Sequence, residues 1–141
     1  MLGRAMKIMK QKGFTLLELL VVMVIIGLLV GYVGPKYFAQ VGKSEIKTAR
    51  AQINSISKAL DLYRLDVGHY PNQQSGLVGL MVAPSGELNW QGPYLQKALP
   101  LDPWGHSYQY KNPSERGDYE LFSFGEDGKL GGVGNAADIY N

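Results

Sequence analysis

The spacing of hydrophobic residues changes twice along this chain. From Phe14 to Val33 the run FTLLELLVVMVIIGLLVGYV is apolar on every face and carries one charge, Glu18. Twenty residues in a helix that rises about 1.5 Å each match the roughly 30 Å hydrocarbon core of a bilayer. Beyond it the pattern becomes one-sided. Ile46, Ala49, Ile53, Ile56, Leu60 and Tyr63 recur at alternating steps of three and four, with Lys47, Arg50, Asn54, Lys58, Asp61 and Arg64 between them. This is the seam of a helix packed along one face. The two stretches read as one helix ending near Asp66, where Gly68 and Pro71 stop it. Gly31, Gly34 and Pro35 interrupt it where the span leaves the lipid, and a kink or local unwinding is expected there.

From Val67 to Asp102 the chain is rich in turn residues, with one or two helical turns expected over Gly76–Val82. Trp90, Tyr94 and Trp104 are too sparsely flanked by Lys or Arg for a base-stacking surface and read as anchors of a loop laid over the helix. Period-2 alternation then predicts strands at His106–Lys111 and Asp118–Phe124, joined as a hairpin across Asn112–Gly117. So small a sheet must pack on the Ile46–Tyr63 seam. The expected fold is α+β: one long N-terminal helix on a small antiparallel sheet, divided into a span (14–34), an amphipathic helix half (35–66) and a globular region (67–141).

Charge alters this picture only at the N-terminus. Of the fourteen basic residues, Arg4, Lys7, Lys10 and Lys12 precede the first acidic one, and without residues 1–13 ten basic side chains face twelve acidic ones. Nucleic-acid binding therefore has no support in the net charge of +2. The basic leader should remain cytoplasmic. No A-x-A-like cleavage site follows the apolar run, so the span should be retained. Glu18 is the anomaly. An ionised carboxylate within an apolar run is costly, and the span holds no Lys or Arg to pair with it. A cut before Phe14 would create an α-amine one helical turn away, or within reach of a neighbouring chain.

Enzymatic chemistry finds little to stand on. Cysteine is absent, the two histidines His69 and His106 lie in unrelated loops, and no P-loop or dinucleotide fingerprint occurs. The remaining candidate site is the segment GEDGKLGGVGNAAD (125–138), with five glycines and three carboxylates. Such a loop can turn backbone carbonyls inward beside carboxylates, an oxygen donor set suited to Ca²⁺, or it can simply be a solvated glycine turn. It is not an EF-hand: Asp127 and Asp138 have the end-to-end spacing, but Lys129 and Gly131 stand where ligands are needed.

The string Lys12-Gly13-Phe14-Thr15-Leu16-Leu17-Glu18, after a short basic leader and before a span, resembles the processing site of type IV pilins and type II secretion pseudopilins. LPLDPWG, DYELFSFGEDG and GGVGNAADI resemble the major pseudopilin branch, and the missing cysteines argue against a pilus pilin with a C-terminal disulfide loop. The resemblance implies a type IV pilin-like fold. It implies cleavage by a prepilin peptidase between Gly13 and Phe14, N-methylation of Phe14, and pairing of Glu18 with the Phe14 amine of an adjacent subunit during assembly. It further implies that subunits can loosen the helix at Pro35 as they pack. A Ca²⁺ ion in the C-terminal loop would be held by the side chains of Asp127 and Asp138 and by backbone oxygens of Phe124 and Lys129. Asn135 could add its amide oxygen. The loop is less acidic than the family pattern around Val133, Asn135 and Ala136, which points to weaker binding. The implied function is that of a structural subunit, not an enzyme. It would be anchored in the inner membrane with its C-terminal region periplasmic, and it would polymerise into the pseudopilus that drives export of folded proteins across the outer membrane. Its partners would be further copies of itself, minor pseudopilins, the inner-membrane assembly platform and the membrane. A pilus pilin and a filament-capping minor pseudopilin are the alternatives.

Overall fold

The computed structural model describes Gly3 and residues 12–141. The leader charges Arg4, Lys7 and Lys10 lie outside the described residues. The chain divides into two compact units, Met1–Ala39 and Gln40–Asn141. One helix, α1 (Leu16–Val67), contributes to both.

In the first unit, α1 is apolar and exposed all round, and it is long and apolar enough to cross a membrane. It runs through Pro35 without a break, so the unwinding expected there does not occur in the single subunit. The physical reason lies in the neighbours. Proline's fixed φ is helical, and the clash of its ring falls on the carbonyl one turn back, at Gly31, where a backbone with no side chain can tilt to accommodate it.

In the second unit, α1 is the wall against which everything else packs. Ala49, Ile53, Ile56, Leu60 and Tyr63 are at most 1% exposed, and Ile46 is partly buried against them. The expected seam is thus the core face. Gly68 ends the helix: at φ +94° it is in the left-handed region, and its N–H returns to the Arg64 carbonyl at 2.8 Å. A short 3-10 turn, Gly76–Leu80, buries Leu77 and Leu80 against the seam.

The sheet has three strands in the order β1-β2-β3: β1 (Gln109–Lys111), β2 (Glu120–Ser123) and β3 (Ile139–Tyr140), all antiparallel. Tyr110 pairs with Leu121, and Phe122 with Tyr140. The hairpin expected from the alternating pattern is present, but its first strand is shorter than the His106–Lys111 reading. Residues 102–106 instead form a tight turn around the Asp102 side chain, closed by a bridge between Leu101 and Ser107. β3 was not anticipated, because two residues are too few to show a period. The aromatic anchors hold as expected through their polar ends. Trp90 Nε1 donates to the Gly79 carbonyl (2.7 Å), the Tyr94 hydroxyl to Asp66 (2.8 Å) and Trp104 Nε1 to Glu45 (3.1 Å).

Candidate functional sites: the helix start and the C-terminal loop

The first site is the start of α1. Thr15 precedes the first helical residue, and its Oγ1 accepts the Glu18 N–H at 3.1 Å. Glu18 Oε2 reaches back to accept the Thr15 N–H at 2.8 Å and the Thr15 hydroxyl at 3.1 Å. This reciprocal arrangement is a capping box, which satisfies helix-end donors that lipid cannot. Its signature, Thr-x-x-Glu, is present in the sequence at Thr15 and Glu18, so Glu18 is not the unpartnered charge expected from the apolar run alone. Within one subunit Glu18 therefore has partners, and both are on Thr15. Gly13 and Phe14 lie just before the helix, exposed and outside regular secondary structure. Phe14 is 86% exposed. At the far end of the first unit, Tyr32, Tyr37 and Phe38 are exposed around Lys36, whose Nζ lies 4.4 Å from the Tyr32 ring centroid and 2.9 Å from its hydroxyl. An aromatic and cationic girdle of this kind suits a membrane–water interface.

The second site is the loop between β2 and β3. Because β2 and β3 are hydrogen-bonded neighbours, residues 124–138 form a closed excursion from one edge of the sheet. The loop is pinned across its base. The Glu126 N–H donates to the Asn135 carbonyl at 2.9 Å, and Gly125 sits at φ +76° where a Cβ would lie 2.6 Å from the Ala137 carbonyl oxygen and 2.9 Å from that of Asn135. Only glycine fits there.

The expected metal ligands fall as follows. Phe124 directly follows β2, and Asp127 Oδ1 accepts the Lys129 N–H at 3.1 Å. Asp138 Oδ2 accepts the Gly131 N–H at 3.0 Å, while its Oδ1 is buried with no hydrogen-bond partner. A buried carboxylate oxygen without a donor is an uncompensated cost, and it is an oxygen suited to a hard cation. The side chain of Asn135, by contrast, lies flat against Gly42 of α1, where an added Cβ would be 2.8 Å from its Cγ and Oδ1. It docks the loop onto the helix, a role that the sequence reading of Asn135 as a ligand did not foresee. Among the described residues no three His, Cys, Asp or Glu side chains gather where they could hold a metal. A cation here would depend on two aspartates and on backbone oxygens, and on that chemistry the loop fits Ca²⁺.

The histidines are in structural surroundings. His69 lies between the Tyr70 carbonyl (2.8 Å) and the Glu87 carboxylate (2.9 Å). His106 packs its ring on Gly128, where a Cβ would be 3.0 Å away. Among the described residues neither is hydrogen-bonded to a serine or threonine hydroxyl.

Comparison with known proteins agrees with this geometry. A family model described as type II secretion system (T2SS), protein G matches residues 36–141, and one described as prokaryotic N-terminal methylation motif matches residues 8–33. The chain is 43% identical over 135 residues to the type II secretion system core protein G of Pseudomonas aeruginosa, covering 94% of this chain and 95% of that one. It is 42% identical over 138 residues to that of Vibrio cholerae, covering 96% and 94%. Among solved structures it is similar to the major pseudopilin from the type 2 secretion system of enterohaemorrhagic Escherichia coli, with a TM-score of 0.63 and 31% identity over 74% of this chain and 91% of that one. With its capped apolar helix, its small three-stranded sheet and a match over the whole second unit, the chain belongs to the type II secretion system protein G family, the major pseudopilins.

Proposed function

We propose that the chain is the repeating subunit of a periplasmic pseudopilus, a filament whose growth drives export of folded proteins by a type II secretion system. One observation carries the reading. Among the described residues the core is built entirely from positions after Gln40, and the apolar surface from Phe14 through α1 to Phe38 is left exposed on every side. That surface is covered by lipid before assembly and by the helices of neighbouring copies afterwards. The leader lies on the cytoplasmic side and the second unit in the periplasm. A prepilin peptidase cuts between Gly13 and Phe14 and Phe14 is methylated; the Glu18 carboxylate then exchanges its Thr15 bonds for the new amine of an adjacent subunit. Pro35, which leaves Gly31 without a backbone donor, is where α1 can loosen on packing. The chain performs no chemistry of its own. It meets minor pseudopilins and the assembly platform through this same membrane-embedded half.

The test separates insertion from assembly. Glu18→Ala should insert and be processed, with residues 1–13 lost and one methyl gained by mass spectrometry, yet yield few or no filaments. Normal filament yield from that variant would refute the pairing.

Ca²⁺ is the proposed cofactor of the loop, held by Asp127, Asp138 and the backbone oxygens of Phe124 and Lys129. Its chemistry there is neutralisation: the ion would satisfy the buried Asp138 oxygen and tie the two ends of the loop together. The purified protein should melt higher in millimolar Ca²⁺ than in chelator, and Asp127→Ala should remove the difference. Equal melting of the parent protein in the two buffers would withdraw the assignment.

A further inference from the structure

The LPLDPWG segment contains the most buried carboxylate described in the molecule, and the filament reading gives it no role. Asp102 is 4% exposed, and its side chain is completely covered. Its Oδ1 accepts the N–H groups of Trp104 (3.1 Å) and His106 (2.8 Å), and its Oδ2 accepts the Ser123 hydroxyl at 2.7 Å. Among the described residues no Lys or Arg pairs with it, and His106 Nδ1 lies 3.9 Å from Oδ1. An ionised group buried on these terms is expensive unless every lone pair is used. A serine or asparagine could have held the turn at 102–106 at lower cost. What the carboxylate adds is its second oxygen, directed at Ser123.

We propose that Asp102 is a positioning residue for the C-terminal loop, acting through Ser123 on the Phe124 carbonyl. Ser123 is fully buried at the end of β2. Because its hydroxyl proton is committed to Asp102, its oxygen lone pairs face the other way, and one accepts the Gly125 N–H at 3.1 Å. The N–H of Gly125 and the C=O of Phe124 belong to one peptide group. That group is trans, since the cis bonds are Gly92–Pro93 and Asn112–Pro113. In a planar trans peptide the two dipoles point in opposite directions. Holding the N–H on the buried Ser123 hydroxyl therefore fixes the Phe124 oxygen in the opposite direction. The hub is itself braced: Trp104, whose N–H is on Asp102, donates its indole N–H to Glu45 of α1. Helix, turn and loop are thereby set against one buried carboxylate.

For metal binding this inference rests on the Ca²⁺ reading of the loop, and the experiment keeps the two apart. Full-length mature protein in detergent micelles is used, as the parent and as Ser123→Ala, Ser123→Thr and Asp102→Asn. Two quantities are read: the Ca²⁺ dissociation constant, by competition with a chelator, and the exchange rate of the Gly125 amide without Ca²⁺. Loss of an outer-shell partner that orients a ligand should weaken metal binding roughly 10–100-fold. Ser123→Ala should show that loss together with faster Gly125 exchange, and Ser123→Thr, which keeps the hydroxyl, should restore both. Asp102→Asn should fall between. If Ser123→Ala lowers the melting temperature equally with and without Ca²⁺ while the dissociation constant stays at the parent value, Asp102 is only a packing feature and the proposal is overturned. If the parent binds no Ca²⁺, the metal reading fails, and unchanged Gly125 exchange in both Ser123→Ala and Asp102→Asn overturns the positioning role by itself.

Discussion

The contact between Asn135 and Gly42 allows a prediction in which two general rules have opposite signs. Replacing glycine by alanine in a helix interior normally stabilises by about 1 kcal/mol. At Gly42 the new Cβ would lie 2.8 Å from Asn135 Cγ and Oδ1, and closer still to Nδ2. Carbon contacts are optimal near 3.5–4.0 Å, and forcing extra volume into a packed site costs about 1–3 kcal/mol. Asn135 is short, and its backbone carbonyl is tied to the Glu126 N–H, so it cannot swing away freely. Gly42→Ala should therefore be neutral to about 2 kcal/mol destabilising in the otherwise unchanged protein. After Asn135→Ala the obstruction is gone, and the same substitution should stabilise by up to about 1 kcal/mol. The sign reversal across the double-mutant cycle is the measurement, with a coupling of about 1–3 kcal/mol. Urea unfolding of a soluble fragment beginning at Lys36, followed by circular dichroism, gives the four stabilities. If Gly42→Ala stabilises to the same extent in both backgrounds, the loop does not dock on α1 at this point and the reasoning is wrong.

Three further outcomes can be checked with the same fragment or the full chain. Leu60 is wholly buried in the seam while Leu65 is 79% exposed on the other face, so Leu60→Ala should cost about 2–5 kcal/mol and Leu65→Ala no more than about 0.5. Burial raises the Tyr110 hydroxyl to about 12 and shifts the Tyr63, Tyr94, Tyr108 and Tyr119 hydroxyls upward as well. The folded state thus keeps protons that the unfolded chain releases. Stability should be intact below pH 10 and fall as pH rises toward 12, with Tyr110 contributing up to about 1.4 kcal/mol per pH unit and the other tyrosines adding to the slope in the same direction. Tyr110→Phe should make the slope shallower in an alkaline unfolding series. At the helix start, Thr15→Ala removes both halves of the hydroxyl–amide exchange with Glu18, and the Glu18 amide should exchange roughly 2–30-fold faster in micelles, whereas Thr15→Ser should not change it.

Much of this architecture was legible because its information is periodic or local. The steps of three and four from Ile46 to Tyr63 specify which face of α1 is buried, and burial is complete along that stripe from Ala49 to Tyr63 and partial at Ile46. Gly68 ends the helix by a backbone preference that belongs to a single residue, and the β1–β2 hairpin follows from alternation on both sides of a turn. The N-terminal methylation motif is a contiguous string and needs no fold to be recognised.

What only the tertiary structure decided has a common cause: it depends on groups far apart in the chain whose partners have no fixed spacing. Asp102 reads as an ordinary turn residue until folding brings Ser123 to 2.7 Å and excludes water from both. Asn135 reads as a possible ligand until α1 presents a glycine for its amide to lie on. The Asp138 oxygen stands apart from the other loop carboxylates only once folding buries it without a donor. β3 exists because Ile139 and Tyr140 fall beside β2, not because two residues could announce a strand. Period and propensity act along the chain and can be read there. Desolvation acts across it, and its consequences appear only when the elements meet.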